Sequence, residues 1–193
     1  METKAKIIAI MGKSGSGKSC LKKALMEYFD FIAIQECTDR PMRPDEIDGV
    51  DYLFLNSNQM LDDNIVCKKT YHTRLGDWAY GIIKTELQAN KNYVIVINPY
   101  QVEEFNKIYS DVSDIIYTII ETDEEKRILQ LIKREEKKKN PNYAEICRRI
   151  GTDSTEFSKV NDYWKLIKEP KIIFNSYEES MKDIAYEFCK NIR

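Results

Sequence analysis

The stretch IIAIMGKSGSGKSCLKKALM, residues 7–26, decides how this chain folds. It begins within KIIAIM (6–11), a short, continuous run rich in β-branched residues, which predicts a buried strand. It closes on helical spacing, with Leu21, Leu25 and Met26 expected on one face and Tyr28 and Phe29 ending the segment. Between them, Gly12-Lys13-Ser14-Gly15-Ser16-Gly17-Lys18-Ser19 fits the pattern G-x-x-x-x-G-K-[ST] in full. Glycines let the backbone curl so that successive N–H groups point inward, and the following helix adds the positive end of its dipole. Lys18 supplies a point charge between the β- and γ-phosphates of a nucleoside triphosphate, and Ser19 offers a hydroxyl to Mg2+. A chance glycine–serine turn has no reason to sit between a strand and a helix, as this one does.

Outward from the loop, FIAI (31–34), YVIVIN (93–98), DIIYTII (114–120) and KIIF (171–174) read as further strands, and DYLFL (51–55) as a short one. Segment 123–139 reads as a charged helix and 177–192 as a last helix, with Met181, Ile184, Ala185 and Phe188 at helical spacing. Continuous apolar strands alternating with helices predict an α/β domain whose parallel sheet is covered on both faces. With the loop after the first strand, that is the P-loop NTPase fold. KREEKKKNPN (133–142) has two readings: a solvated helix end stopping before Pro141, or part of a mobile lid over a phosphate site.

The 193 residues suit one compact domain, and 32% charged with 42% hydrophobic residues is an ordinary soluble profile. A net charge of -2 gives no reason to expect nucleic acid or a membrane as partner. The five cysteines are scattered with no CxxC pair, which predicts reduced thiols and a cytoplasmic protein. The METKAK lead is wrongly flanked for a signal peptide, and no apolar run approaches membrane-spanning length.

The phosphate loop alone does not separate ATPase, GTPase and kinase, so the partner of the phosphate has to be sought elsewhere. In CTDRPMRPDEIDGVDYLFL (37–55), Arg40 and Arg43 stand three apart in a proline-stiffened loop. Guanidinium forks match a phosphate bidentately, and two of them with the phenol of Tyr52 would hold a monophosphate. Two solvated arginines on a surface loop are the other reading.

The same stretch resembles the guanylate kinase family, whose loop reads T-x-R-P-x-R-P-x-E-x-D-G-x-D-Y; here it runs from Thr38 to Tyr52. Tyr80-Gly81 resembles the family's Tyr-Gly pair near the base pocket, IGTDSTEF (150–157) the end of its lid, and IIFNSYEES (172–180) its last strand and tail. The resemblance implies a nucleoside monophosphate kinase using ATP and Mg2+, with GMP or dGMP as acceptor. It implies that Gly12 to Ser19 bind ATP, with Ser19 toward the metal. It gives Thr38, Arg40, Arg43, Tyr52 and Tyr80 to the acceptor, with Glu36 and Asn98 at positions where the family carries other residues. Lys18, Arg40, Arg148 and Arg149 are the expected catalytic set, although the last two also read as a basic helix face. The domain would divide into a core (1–35, 91–124 and 166–193), an acceptor-binding insertion (36–90) and a helical lid (125–165).

Four departures from the family fall on base recognition or the metal. Glu36 stands where a serine helps to read guanine. No glutamate lies in CKKTYHTRLGDWA (67–79), where the family places one against the guanine N1 and amino group. Ile82 replaces a serine or threonine. Val96 and Asn98 replace the two acids of the third strand's Leu-Asp-Ile-Asp. A site built on hydrogen bonds discriminates strongly, so such changes bear on the substrate. Another monophosphate acceptor, a phosphorylated sugar, or a non-catalytic binding module therefore remain alternative expectations. His72, the only histidine, reads as a pocket-wall or structural residue, and Trp78 and Tyr80 as local packing or a base-stacking pair.

Overall fold

The computed structural model describes residues 4–43, 46–73, 76–158, 165–167 and 169–192. Its main sheet has the order β2-β7-β1-β8-β9, formed by Ile32–Ala33, Asn92–Val96, Ala5–Met11, Ser113–Glu121 and Lys171–Phe174. Every pairing in it is parallel. β1 lies at the centre, and its alternation supplies both faces. Ile7, Ala9 and Met11 pack with Val102, Phe105 and Tyr109 of α2 (Val102–Tyr109), while Ile8 and Ile10 pack with Leu21 and Leu25 of α1 (Lys18–Phe29). Ile184, Ala185 and Phe188 of the last helix, α5 (Met181–Asn191), join this second face. Burial on both sides is why these strands are apolar at consecutive positions rather than at alternate ones.

A second sheet, β4-β3-β6-β5, is built from Leu53–Phe54, Glu36–Thr38, Gly76–Ile83 and Ile65–Thr73. β3 runs antiparallel to β6, with Glu36 opposite Ile82 and Thr38 opposite Tyr80. The β5–β6 register shifts between Val66 and Lys69, where Cys67 adopts a φ of 52°. Beyond that shift Lys69, Tyr71 and Thr73 are half-buried while Thr70 and His72 are exposed. Two further α-helices among the described residues are α3 (Glu124–Glu136) and α4 (Tyr143–Ser158).

Several expected details differ. The β5–β6 hairpin is absent from the expected strands. Met26 is exposed, because five residues after Leu21 it has turned to the far side of α1, whose buried side is Leu21, Ala24 and Leu25. α3 ends at Glu136 rather than 139, since buried Glu135 accepts from Lys138 and from the Asn142 amide and so anchors a turn there. The last helix begins at Met181 rather than 177, because Ser180 caps it and accepts from the Asp183 amide.

Candidate active site

The phosphate loop leaves β1 and enters α1 with Gly15 at φ 84° and Gly17 at φ 103°. A Cβ at Gly17 would come within 2.7 Å of the Asn175 side-chain nitrogen, so no other residue fits there. Asn175 in turn donates to the Ser16 carbonyl at 2.9 Å, and Tyr177 donates to the Gly15 carbonyl. Residues just after β9 thus brace the loop from behind. The Lys18 ammonium folds back onto the Gly12 and Lys13 carbonyls at 2.6 and 2.9 Å. Desolvation inside the loop pulls its pKa down to about 8, against the raising influence of Asp153 and Glu36. Lys13 pairs with Glu124 at the surface, 3.4 Å away. Ser19, on the first turn of α1, is exposed at the loop.

An anionic group already rests on this loop. Asp153, on α4, accepts from the Ser14 amide at 2.9 Å and from the Ser14 hydroxyl at 3.1 Å. Arg127, on α3 and almost wholly buried, donates to Asp153 at 3.2 Å and to the Ser14 carbonyl at 2.8 Å. One turn further along α4, Glu156 accepts from Lys69 at 2.6 Å and from the Tyr71 hydroxyl at 2.9 Å. α4 is therefore tied at Asp153 to the phosphate loop and at Glu156 to the second sheet.

Between these ties lies a cleft of about 230 Å3. Ser14, Lys18, Glu36, Arg40, Arg43 and Tyr52 line it, as do Tyr80, Asn98, Arg148 and Arg149. Nearly all of the acceptor and catalytic residues expected from the sequence share one wall system. Arg40 forks onto Glu46 at 2.7 and 2.6 Å, and its Nε donates to the Tyr80 hydroxyl at 3.0 Å. Its guanidinium is stacked within 5.2 Å of the Tyr52 ring centroid. Arg43 is freer, with one bond of 3.3 Å to Glu46. Burial and the neighbouring Arg149 and Arg40 lower its pKa, so an anion beside it is electrostatically favoured. Burial likewise raises the Tyr52 phenol, which stays a neutral donor. Glu145 holds both Arg148 and Arg149 of α4, with bonds of 2.7 and 2.8 Å from Arg148 and 3.0 Å from Arg149. Burial pushes Glu145 upward, but those two arginines outweigh it and leave its carboxyl at about 2.

Other expectations fall elsewhere. Thr38 does not line the cleft: it is fully buried and its hydroxyl donates to the Ala79 carbonyl at 2.7 Å, fixing β3 on β6. His72 is no part of the pocket wall, since its side chain is 81% exposed and lies 2.9 Å from Asp77 on the opposite strand. Trp78 does not line the cleft either; Tyr80 does, packed edge-on against Tyr52 and Tyr71 with ring centroids 5.9 and 5.5 Å away. Asn98 does line it, but it also caps the turn Pro99–Gln101 in a reciprocal capping box with Gln101. Asp153, Glu46, Arg127 and Glu156 escape the reading of the sequence by role. Glu46 and Asp153 stood inside quoted motifs, but nothing in a linear motif shows which partner a carboxylate meets.

Among the described residues there is no group of three His, Cys, Asp or Glu side chains suited to a metal, and no helix long and apolar enough to cross a membrane. None of the five cysteines forms a disulfide.

The family model for guanylate kinase matches residues 4–185. A guanylate kinase from Rhodopirellula baltica is 35% identical over 95 residues, which are 45% of this chain and 44% of that protein. One from Thermotoga maritima is 29% identical over 46% of this chain and 44% of its own length, so these two matches span under half of each relative. One from onion yellows phytoplasma is 24% identical over all of this chain and 91% of its own. In fold, the crystal structure of guanylate kinase from Anaplasma phagocytophilum is similar with a TM-score of 0.61 at 15% identity, covering 100% of this chain and 86% of that one.

Proposed function

The chain belongs to the guanylate kinase family, and from that premise we propose that it is an ATP-dependent nucleoside monophosphate kinase acting on GMP or dGMP. The observation that carries the proposal is the single cleft shared by Lys18, Arg40, Arg43, Arg148 and Arg149. Phosphoryl transfer is mostly positioning plus charge stabilisation, and these five cations meet where two phosphates would have to meet. The loop amides and Lys18 hold the triphosphate. Arg43, Tyr52 and Tyr80 hold the acceptor phosphate, with Arg40 fixed beside them by Glu46. An oxygen of that phosphate forms the new P–O bond as the bond to the ADP oxygen breaks. The acceptor is already an anion, so no general base is required. Arg148 and Arg149 offset the charge on the moving phosphoryl, and closure of α4 keeps water away from it.

Mg2+ would rest on the exposed Ser19 hydroxyl, the ATP phosphates and water, which suits an ion that keeps several waters and needs few protein ligands. When bound it supplies charge neutralisation at the β- and γ-phosphates. We assign acceptor binding to segment 36–90 and the lid to 125–165, around the core formed by the rest. A cytoplasmic location fits five cysteines that form no disulfide.

A second reading has its own observation: β5 presents Lys69 and Tyr71, not a carboxylate, beside the cleft. That favours a different (deoxy)nucleoside monophosphate. ADP release from ATP and Mg2+ measured against GMP, dGMP, AMP, CMP, UMP and dTMP separates the readings. Selectivity for GMP or dGMP supports the first, and turnover of another base supports the second. Silence on all of them with ATP still bound would indicate a binding module.

A further inference from the structure

Lys22 sits one turn after Lys18 on α1, and its side chain turns inward. Its ammonium donates to Glu36 Oε2 at 2.6 Å, with only 9% of one side chain and 12% of the other exposed. Among the described residues Lys22 is the one donor bonded to this carboxylate. Glu36 lines the cleft and Lys22 does not, so the lysine stands behind the glutamate. A buried ion pair adds little net stability over apolar residues of similar size, which leaves its presence to be explained by what it specifies.

We propose that Lys22 and Glu36 form the base-selecting unit of the cleft: Lys22 is a positioning residue that fixes Glu36, whose other oxygen accepts from an N–H edge of the acceptor's base. This rests on the reading of Arg40, Arg43, Tyr52 and Tyr80 as the acceptor's phosphate end. Glu36 opens β3 and Arg40 follows just beyond its end at Thr38, and all three residues are buried. Glu36 and Arg40 both line the cleft, while Thr38 between them turns onto the Ala79 carbonyl of β6. A mononucleotide anchored by its phosphate at the arginines occupies the cleft that Glu36 lines, where its base can meet that carboxylate. Tyr80 and Gly81 of β6 form the wall between, in register with Thr38 and Cys37. A carboxylate only accepts hydrogen bonds. The base must then donate, as guanine does through N1–H and its 2-amino group; adenine's ring edge presents an acceptor nitrogen there. The unit reads guanine from the strand opposite to β5, which carries no glutamate.

The test is steady-state kinetics on Lys22→Met and on the double variant Lys22→Met/Glu36→Gln, which removes both charges and should fold even if the single one does not. The acceptor is whichever monophosphate the wild type prefers. The expected result is a rise in acceptor KM of about ten- to hundredfold, the size of one hydrogen bond to a charged group, in both variants alike. The KM for ATP should stay near the wild-type value, and Lys22→Arg should restore most of the acceptor affinity. An unchanged acceptor KM in the double variant would overturn the proposal. A wild type that ignores GMP and dGMP would overturn the guanine assignment instead, while the Lys22 effect would still be read on the preferred base.

Discussion

Replacing Asp153 by alanine tests the physical logic of the phosphate loop. Asp153 accepts three hydrogen bonds, two from Ser14 and one from Arg127. Bonds to a charged group contribute about 1.5–3 kcal/mol each when both partners are buried. Here the loss is smaller than their sum. Ser14 is half-buried and can be hydrated, and Arg127 keeps Glu124 and the Ser14 carbonyl. A net destabilisation of about 2 kcal/mol follows, below the roughly 3–5 kcal/mol for breaking a fully buried ion pair, because Arg127 keeps its other partners. For a domain of this size that lowers Tm by about 4–8 °C. The same carboxylate occupies the Ser14 amide, and one N–H cannot serve two anions fully. ATP arriving at the loop must displace Asp153 in the wild type and nothing in the variant. A thermal melt with increasing concentrations of a non-hydrolysable ATP analogue reads both effects. The apo variant should melt below the wild type, and the gap should narrow as the analogue is added, because binding stabilises in proportion to affinity. If the variant instead binds the analogue more weakly, Asp153 does not stand on a phosphate seat.

Three further outcomes are expected. Lys18→Ala should abolish phosphoryl transfer while shifting the melting temperature little, since the ammonium meets only two loop carbonyls and its charge is already disfavoured by desolvation; retained turnover in a coupled ADP assay would contradict the loop assignment. Arg43→Ala should raise the acceptor KM about ten- to hundredfold and leave the ATP KM near wild type, because its guanidinium carries a single long bond to Glu46; a loss of ATP binding would mean the two phosphate ends are interchanged. Burial holds Lys18 at about 8 in the ligand-free protein against the ordinary lysine value of 10.5, so between those pH values the folded chain holds fewer protons than the unfolded one and stability gains as pH rises through that window. A triphosphate favours the ammonium, so ATP binding near pH 9 should take up protons; calorimetry in buffers of different ionisation enthalpy measures this, and no uptake would mean that Lys18 does not meet the phosphates.

The main sheet was readable because its strands are buried on both faces and carry unbroken apolar runs such as KIIAIM and YVIVIN. The β5–β6 hairpin was not, because KKTYHT alternates half-buried polar and aromatic residues with exposed polar ones, and the register shift at Cys67 breaks the period. The phosphate loop announced itself by local spacing, since its glycines and Lys18 act within eight consecutive residues. Asp153 gave no such sign: it meets Ser14 across 139 residues of chain, and a short-range pattern carries no trace of that approach. Arg40 shows an intermediate case. Its motif was plain, yet its fork is taken by Glu46 six residues on, which makes Arg43 the freer cation of the pair. Lys22 carries no local sign of its role either, since only the fold sets Glu36 of β3 against it.

The measurement that bears most directly on the account is the fate of the terminal phosphate of γ-labelled ATP incubated with the protein, Mg2+ and GMP. The account predicts label in GDP, formed at a rate that depends on Lys18. Label released only as inorganic phosphate, or retained in ATP despite nucleotide binding, would contradict it.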